Sequence, residues 1–195
     1  TGLMQAISFY ESPAGGKIRS VPNLGSVGWT SFQYAFRGCS ELTSVAGGDT
    51  SGVTSMRAMF RDSPLVNPDT STWDTSSVND MQEMFQSALL ANPDTSEWNT
   101  GNVETMRYMF YEAHVATPDT SSWDTSSVTD MAYMFRKSEE ATPDTTQWQV
   151  SNVTDMSYMF SLNTVLNPDV SNWDTSSVEA MDGMFQGALS ATPDV

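Results

Sequence analysis

A block ending in Met-x-x-Met-Phe recurs every 25 residues, six times in succession, with its first Met at Met56, Met81, Met106, Met131, Met156 and Met181. The closing Met-Phe pair falls at 59/60, 84/85, 109/110, 134/135, 159/160 and 184/185. A fixed period of roughly 20–50 residues predicts a quasi-one-dimensional stack, in which each unit buries its apolar side against the next. It also argues against catalysis. Acid/base work needs two carboxylates in different environments, and copies of one unit rarely supply them.

Other columns keep the same period. Trp recurs at 73, 98, 123, 148 and 173, Val at 53, 78, 103, 128, 153 and 178, and Pro-Asp at 68/69, 93/94, 118/119, 143/144, 168/169 and 193/194. From Val to Phe the apolar residues fall at i, i+3, i+6 and i+7, the pattern of one face of a short helix. Ser127 followed by Asp130, and Ser77 followed by Asp80, resemble capping boxes that would start it. The Thr-Ser-x-Trp segment reads as a short strand preceded by a Pro that cannot donate to a ladder. Stacked copies would pair such strands in parallel, about 4.8 Å apart. The expected fold is therefore an α/β solenoid of about six to seven coils, each with a short parallel strand and a short helix. Trp, Val, Met and Phe are the expected core, each contributing about 1.5–3 kcal/mol when fully buried.

Residues 1–24 show no repeat, and Trp29 to Leu42 form an irregular first unit that leads the next Met-Phe by 24 residues. The expected organisation is an N-terminal cap over 1–28 and a repeat region over 29–195. The chain stops at Ala-Thr-Pro-Asp-Val, in mid-repeat, as a piece cut from a longer protein would. The apolar edge of the last unit is expected to be exposed.

Eight Lys plus Arg stand against 24 Asp plus Glu, for a formal charge of −16. Such a field repels phosphate backbones and anionic membranes, which argues against nucleic acid as a partner. No apolar run approaches the ~20 residues of a membrane span. The single Cys39 excludes an internal disulfide framework.

Ala35-Phe36-Arg-Gly-Cys39-Ser-Glu-Leu42-Thr-Ser-Val45 resembles the A-F-x-x-C-x-x-L-x-x-V signature of BspA-like leucine-rich repeats. Units such as Trp123-Asp-Thr-Ser-Ser-Val128-Thr-Asp-Met131-Ala-Tyr-Met134-Phe135 are similar to the repeats of bacterial surface proteins, lipoproteins and large adhesins. The resemblance covers about residues 29–195. It implies a right-handed, leucine-rich-repeat-like solenoid on the outside of a bacterial cell, with a role in adhesion or partner binding. The chain departs from that pattern three residues before Trp, where Thr70, Thr95, Thr120, Thr145 and Val170 replace a bulky apolar residue.

Two sets of residues are candidates for function. The Pro-Asp row, Asp69, Asp94, Asp119, Asp144 and Asp169, would set one carboxylate per unit roughly 5 Å apart. That suits a hard cation such as Ca²⁺, although each Asp could instead cap its own turn. No other cofactor is implied. The second set is an aromatic and basic patch of Arg107, Tyr108, Tyr111, Tyr133, Arg136, Lys137 and Tyr158, residue types enriched at binding hot spots. The competing reading is a tyrosine ladder that only stabilises neighbours. The Thr70 and Thr75 columns suggest a hydroxyl array of the ice-binding kind, but Val170 and Val150 interrupt them. The lone His114 has no partner spacing for catalysis. The expected function is a non-catalytic, extracellular binding module of a bacterial surface adhesin. Its partner would be a protein or glycan on a target surface, or a second copy of the chain; the alternative is a passive spacer.

Overall fold

The computed structural model describes residues 6–10 and 15–192. Among them there is no α-helix: one 3-10 turn spans Gly15–Lys17, and strands β1 (Ser20–Val21) and β2 (Ser44–Val45) form a two-stranded parallel sheet. This overturns the expected α/β, leucine-rich-repeat-like solenoid of strand-plus-helix coils. The units consist of turns.

The backbone of the Met-Phe segment gives the physical reason. Its third residue is left-handed in every unit from Tyr34 on: Tyr34, Ala58, Glu83, Tyr108, Tyr133 and Tyr158 have φ between 50° and 61°, and Gly183 has 57°. A second left-handed position follows four residues later, at Gly38, Asp62, Ser87, Glu112, Lys137, Leu162 and Gly187. A left-handed residue stops an α-helix, so the apolar spacing of three is met by successive turns. Met59, Arg61 and Ser63 N–H close turns on the carbonyls of Met56, Ala58 and Phe60 at 3.1, 3.3 and 3.1 Å. The alternate N–H groups point along the stack. Met56, Ala58, Phe60 and Asp62 donate to the carbonyls of Asp80, Gln82, Met84 and Gln86 in the next unit at 2.8–2.9 Å.

Parallel bridges continue this register, Ser31 to Ser55, then Asp80, Thr105, Asp130, Asp155 and Ala180. The bridging residues stand just before the first Met and not in the Thr-Ser-x-Trp segment. That segment is itself a turn, closed at 3.0 Å by Trp73 N–H on Thr70 O and repeated at each later Trp. The capping boxes are also replaced. Asp130 Oδ1 accepts from Ala132 N–H at 2.9 Å, while Ser127 Oγ donates back to Gly101 O at 2.7 Å.

The core runs as a strip along the stack. Val, Met and Phe of the units from Val53 to Phe160 are fully buried, and Trp73 to Trp148 nearly so. Phe9, Phe36, Phe60, Phe85, Phe110, Phe135, Phe160 and Phe185 form one continuous column, with ring centroids 5.4–6.1 Å apart. Each contact of this kind adds about 0.5–1.5 kcal/mol beyond area burial. Phe9 lies in the stretch without a visible repeat, yet Ala6 bridges Ser31 and Phe9 N–H donates to Ala35 O at 2.8 Å. At the other end Met181 is 44% exposed, and Trp173, Val178 and Phe185 are half-buried.

The Thr columns explain the departure three residues before Trp. Thr70, Thr95, Thr120 and Thr145 are buried, and each hydroxyl donates to the carbonyl of Asp94, Asp119, Asp144 or Asp169 one unit on, at 2.6–2.8 Å. Thr75, Thr100 and Thr125 repeat this with Asn99, Asp124 and Gln149 at 2.9–3.0 Å. These hydroxyls face inward and leave no exposed array for ice.

Candidate functional site

The left-handed column carries the tyrosines. Tyr108 N–H donates to Ala132 O, Tyr133 to Ser157 O and Tyr158 to Asp182 O at 2.8–3.0 Å, so the backbone sets the residues one above another. Their rings stack at 4.5 Å (Tyr108–Tyr133) and 5.1 Å (Tyr133–Tyr158), and Tyr111 meets Tyr108 edge-on at 5.6 Å. The ladder ends on Gly183, where an added Cβ would stand 2.5 Å from Tyr158 Cε1. A left-handed L-residue costs about 1–2 kcal/mol, and ring stacking offsets part of this.

The basic residues pack against this ladder. Arg107 lies 5.1 and 5.5 Å from the Tyr108 and Tyr133 centroids, and Arg136 lies 6.0, 5.5 and 5.2 Å from those of Tyr111, Tyr133 and Tyr158. Lys137 Nζ is 5.7 Å from the Tyr111 ring. Arg107 Nη1 also pairs with Asp130 and Asp155 at 3.2 and 3.0 Å, and Lys137 Nζ with Glu112 at 2.6 Å. Burial works against the Arg107 charge, but Asp130 and the bonds to Asp155 and Asp130 outweigh it and raise its pKa. Burial, then the flanking Tyr108 and Tyr158, raise that of Tyr133. The structure thus brings together all seven residues of the expected patch.

The sequence pattern did not reveal how far the face extends. Tyr10 lies tilted against Tyr34 with centroids 6.1 Å apart, and Arg37 lies 4.4 and 5.6 Å from their centroids. Arg37 and Arg61 reach Asp62 at 3.8 and 3.4 Å, and Arg61 also pairs with Glu83. Together with Arg57, these residues put all six tyrosines and six of the eight basic residues on the outward side of the Met-Phe segments. The signal was available in the outward columns of the Met-Phe block, but Tyr10 stands outside any visible repeat.

The Pro-Asp row has a different arrangement. Oδ1 of Asp69, Asp94, Asp119, Asp144 and Asp169 accepts from the backbone N–H two residues on at 3.0–3.2 Å and from that residue's hydroxyl at 2.7 Å. These bonds, the hydroxyl bond first, lower the pKa of Asp69, Asp119, Asp144 and Asp169. Among the described residues no three His, Cys, Asp or Glu side chains gather into a group that could hold a metal ion. Oδ1 of each Asp in the row is thus engaged within its own turn, and Asp194 lies outside the described residues.

His114 is half-buried beside Glu112, Lys137 and Glu139. Cys39 is buried, and desolvation pushes its thiol up to about 11, which makes it unreactive. No described helix is long and apolar enough to cross a membrane.

The family described as "Mycoplasma protein of unknown function, DUF285" matches residues 30–146 and 115–195 of the chain. No curated protein and no solved structure matches it.

Proposed function

This chain belongs to the DUF285 family, and we propose that it is a non-catalytic binding module displayed on the outside of a bacterial cell. The observation that carries the reading is the segregation of all six tyrosines and six of eight basic residues onto one face of an acidic stack. Tyr and Arg provide large contact area and charge-assisted bonds at protein interfaces. The likeness of the units to repeats of bacterial surface proteins supports the location, and both observations support a partner on a neighbouring surface.

Protein and glycan arrays test this with the wild-type chain and a variant carrying Tyr108→Gly, Tyr133→Gly and Tyr158→Gly. Gly suits the left-handed backbone at these positions, so a melting curve separates lost binding from lost folding. Hits that disappear with the rings support the module. Hits that all survive sink the tyrosine face as the binding site, and an array without any hit favours the passive spacer.

A further inference from the structure

The tyrosine face is also the part of the surface where charge nearly balances. Its outward columns hold Arg37, Arg57, Arg61, Arg107, Arg136 and Lys137 together with seven acidic residues, whereas the rest of the chain has only Lys17 and Arg19 to set against the other acids. Two copies approaching by the Asp-bearing edge bring like charges together. We propose that this face pairs with the same face of a second copy of the chain, the two stacks running antiparallel. The proposal rests on the binding reading above and names the partner.

The state of the rings favours a protein of this kind over a sugar. Sugars stack on free aromatic faces. Here Tyr108, Tyr133 and Tyr158 cover one another, and Gly183 lies beneath the last ring. A partner meets ring edges that repeat at the step of the stack, 4.5–5.1 Å. A second copy presents the same step.

The order of residues along the columns favours the antiparallel arrangement. In a two-fold, isologous contact, residue i of one copy meets j of the other, and j meets i. With the axis midway between the units that start at Met106 and Met131, each column meets itself in reverse order. Arg57 then faces the second copy's Asp182, Glu112 faces Lys137, Tyr111 faces Arg136 and Tyr108 faces Tyr133. Arg57 and Asp182 make no ion pair among the described residues. Arg57 acts on Asp80 only at longer range, and its buried Nε has no hydrogen-bond partner, so its guanidinium still lacks a direct partner that the second copy's Asp182 would supply. Asp80 would face Asp155, a like-charge contact softened by Arg107, which pairs with Asp155 at 3.0 Å and with Asp130 at 3.2 Å.

Sedimentation equilibrium over a range of protein concentrations, run on wild type, Arg57→Asp, Asp182→Arg and the double variant, tests the pairing. The expected result is a dimer weakened on the order of tenfold by either single change and restored when both are combined. Tyr133→Gly, which keeps the left-handed backbone, should weaken it as well. A wild-type chain that stays monomeric throughout overturns the proposal. So does a dimer indifferent to these changes, including one lost only on Met181→Ser at the exposed end of the stack. A monomer that still gives array hits overturns the pairing and leaves the binding module standing.

Discussion

The Asp row and the tyrosine ladder are built by the same device, one side chain per unit, but they use their polar atoms differently. Asp119 accepts both of its bonds from Ser121, inside its own turn. Arg107 reaches Asp130 one unit on and Asp155 two units on. The Asp column repeats without change, is satisfied locally and serves the scaffold. A varied column builds a network across units and can differ from place to place. If this contrast holds, edits on the edge of the stack should change stability alone, and edits on the tyrosine face should also change association.

The largest stability effect is expected at the edge, from Thr120→Val. The buried hydroxyl donates to Asp144 O at 2.8 Å in a half-buried bond, and its loss leaves that carbonyl one partner short, at a cost of about 1 kcal/mol. Thr129 is exposed, although it also donates to a carbonyl one unit back, Glu104 O at 3.1 Å. Thr129→Val should cost less than about 0.5 kcal/mol. Urea denaturation of the two variants reads the difference, and equal losses would break the contrast between inward and outward hydroxyls.

Next in size is Arg107→Ala. It removes the contacts to Tyr108 and Tyr133 and leaves Asp130 and Asp155 half-buried without their cation, for an expected loss of about 1 kcal/mol. Lys137→Ala touches one carboxylate from a more exposed position and should lose less in the same urea titration.

These residues also mark what could be read from the sequence. The period, the inward Trp, Val, Met and Phe, and the cluster around Tyr133 were legible because burial and stacking act column by column. The helix and the strand were misread for one reason. Spacing of three fits a helix, but it also fits a run of hydrogen-bonded turns, and the left-handed residue that decides between them is here Tyr, Glu or Ala more often than Gly. The Thr column looked anomalous because a hydroxyl bonded to the next unit's carbonyl leaves no mark in apolar patterning. Tyr10 leaves no mark in the periodic pattern because its segment lacks the Met-Phe landmarks.

Acidification probes the edge most directly, although Glu112 and Asp155 on the tyrosine face also have lowered pKa values. Asp69, Asp119, Asp144 and Asp169 have lowered pKa values through their hydroxyl and N–H bonds. Their contribution is fully present above the unfolded carboxylate value of about 3.9 and is lost as pH falls through the folded value. Asp80 has the opposite sign, since burial raises its pKa. The melting temperature should therefore fall below about pH 4. Replacing the four Asp by Asn should flatten that fall, because an Asn already caps the same kind of turn at Asn99, accepting from Gly101 N–H at 3.1 Å. An undiminished acid response in the fourfold variant would place the titrating groups elsewhere.

The smallest effect has the most informative sign. Leu162 is left-handed at φ 60° and 41% exposed, in the column that also holds Glu112, Lys137 and Gly187. In a helix, Leu→Gly costs about 1 kcal/mol and Leu→Val about half of that, so the order of stability would be Leu, Val, Gly. In the left-handed position Gly escapes a steric cost of about 1–2 kcal/mol, partly offset by the entropy it loses on folding. Val is worse than Leu there, because a β-branched side chain crowds the left-handed backbone. Leu162→Gly should then match or exceed wild type by up to about 1 kcal/mol, and Leu162→Val should fall below it. Melting curves that give the order Gly, Leu, Val support the turn-built face on which the tyrosine ladder depends. The helical order would remove the backbone basis for that ladder.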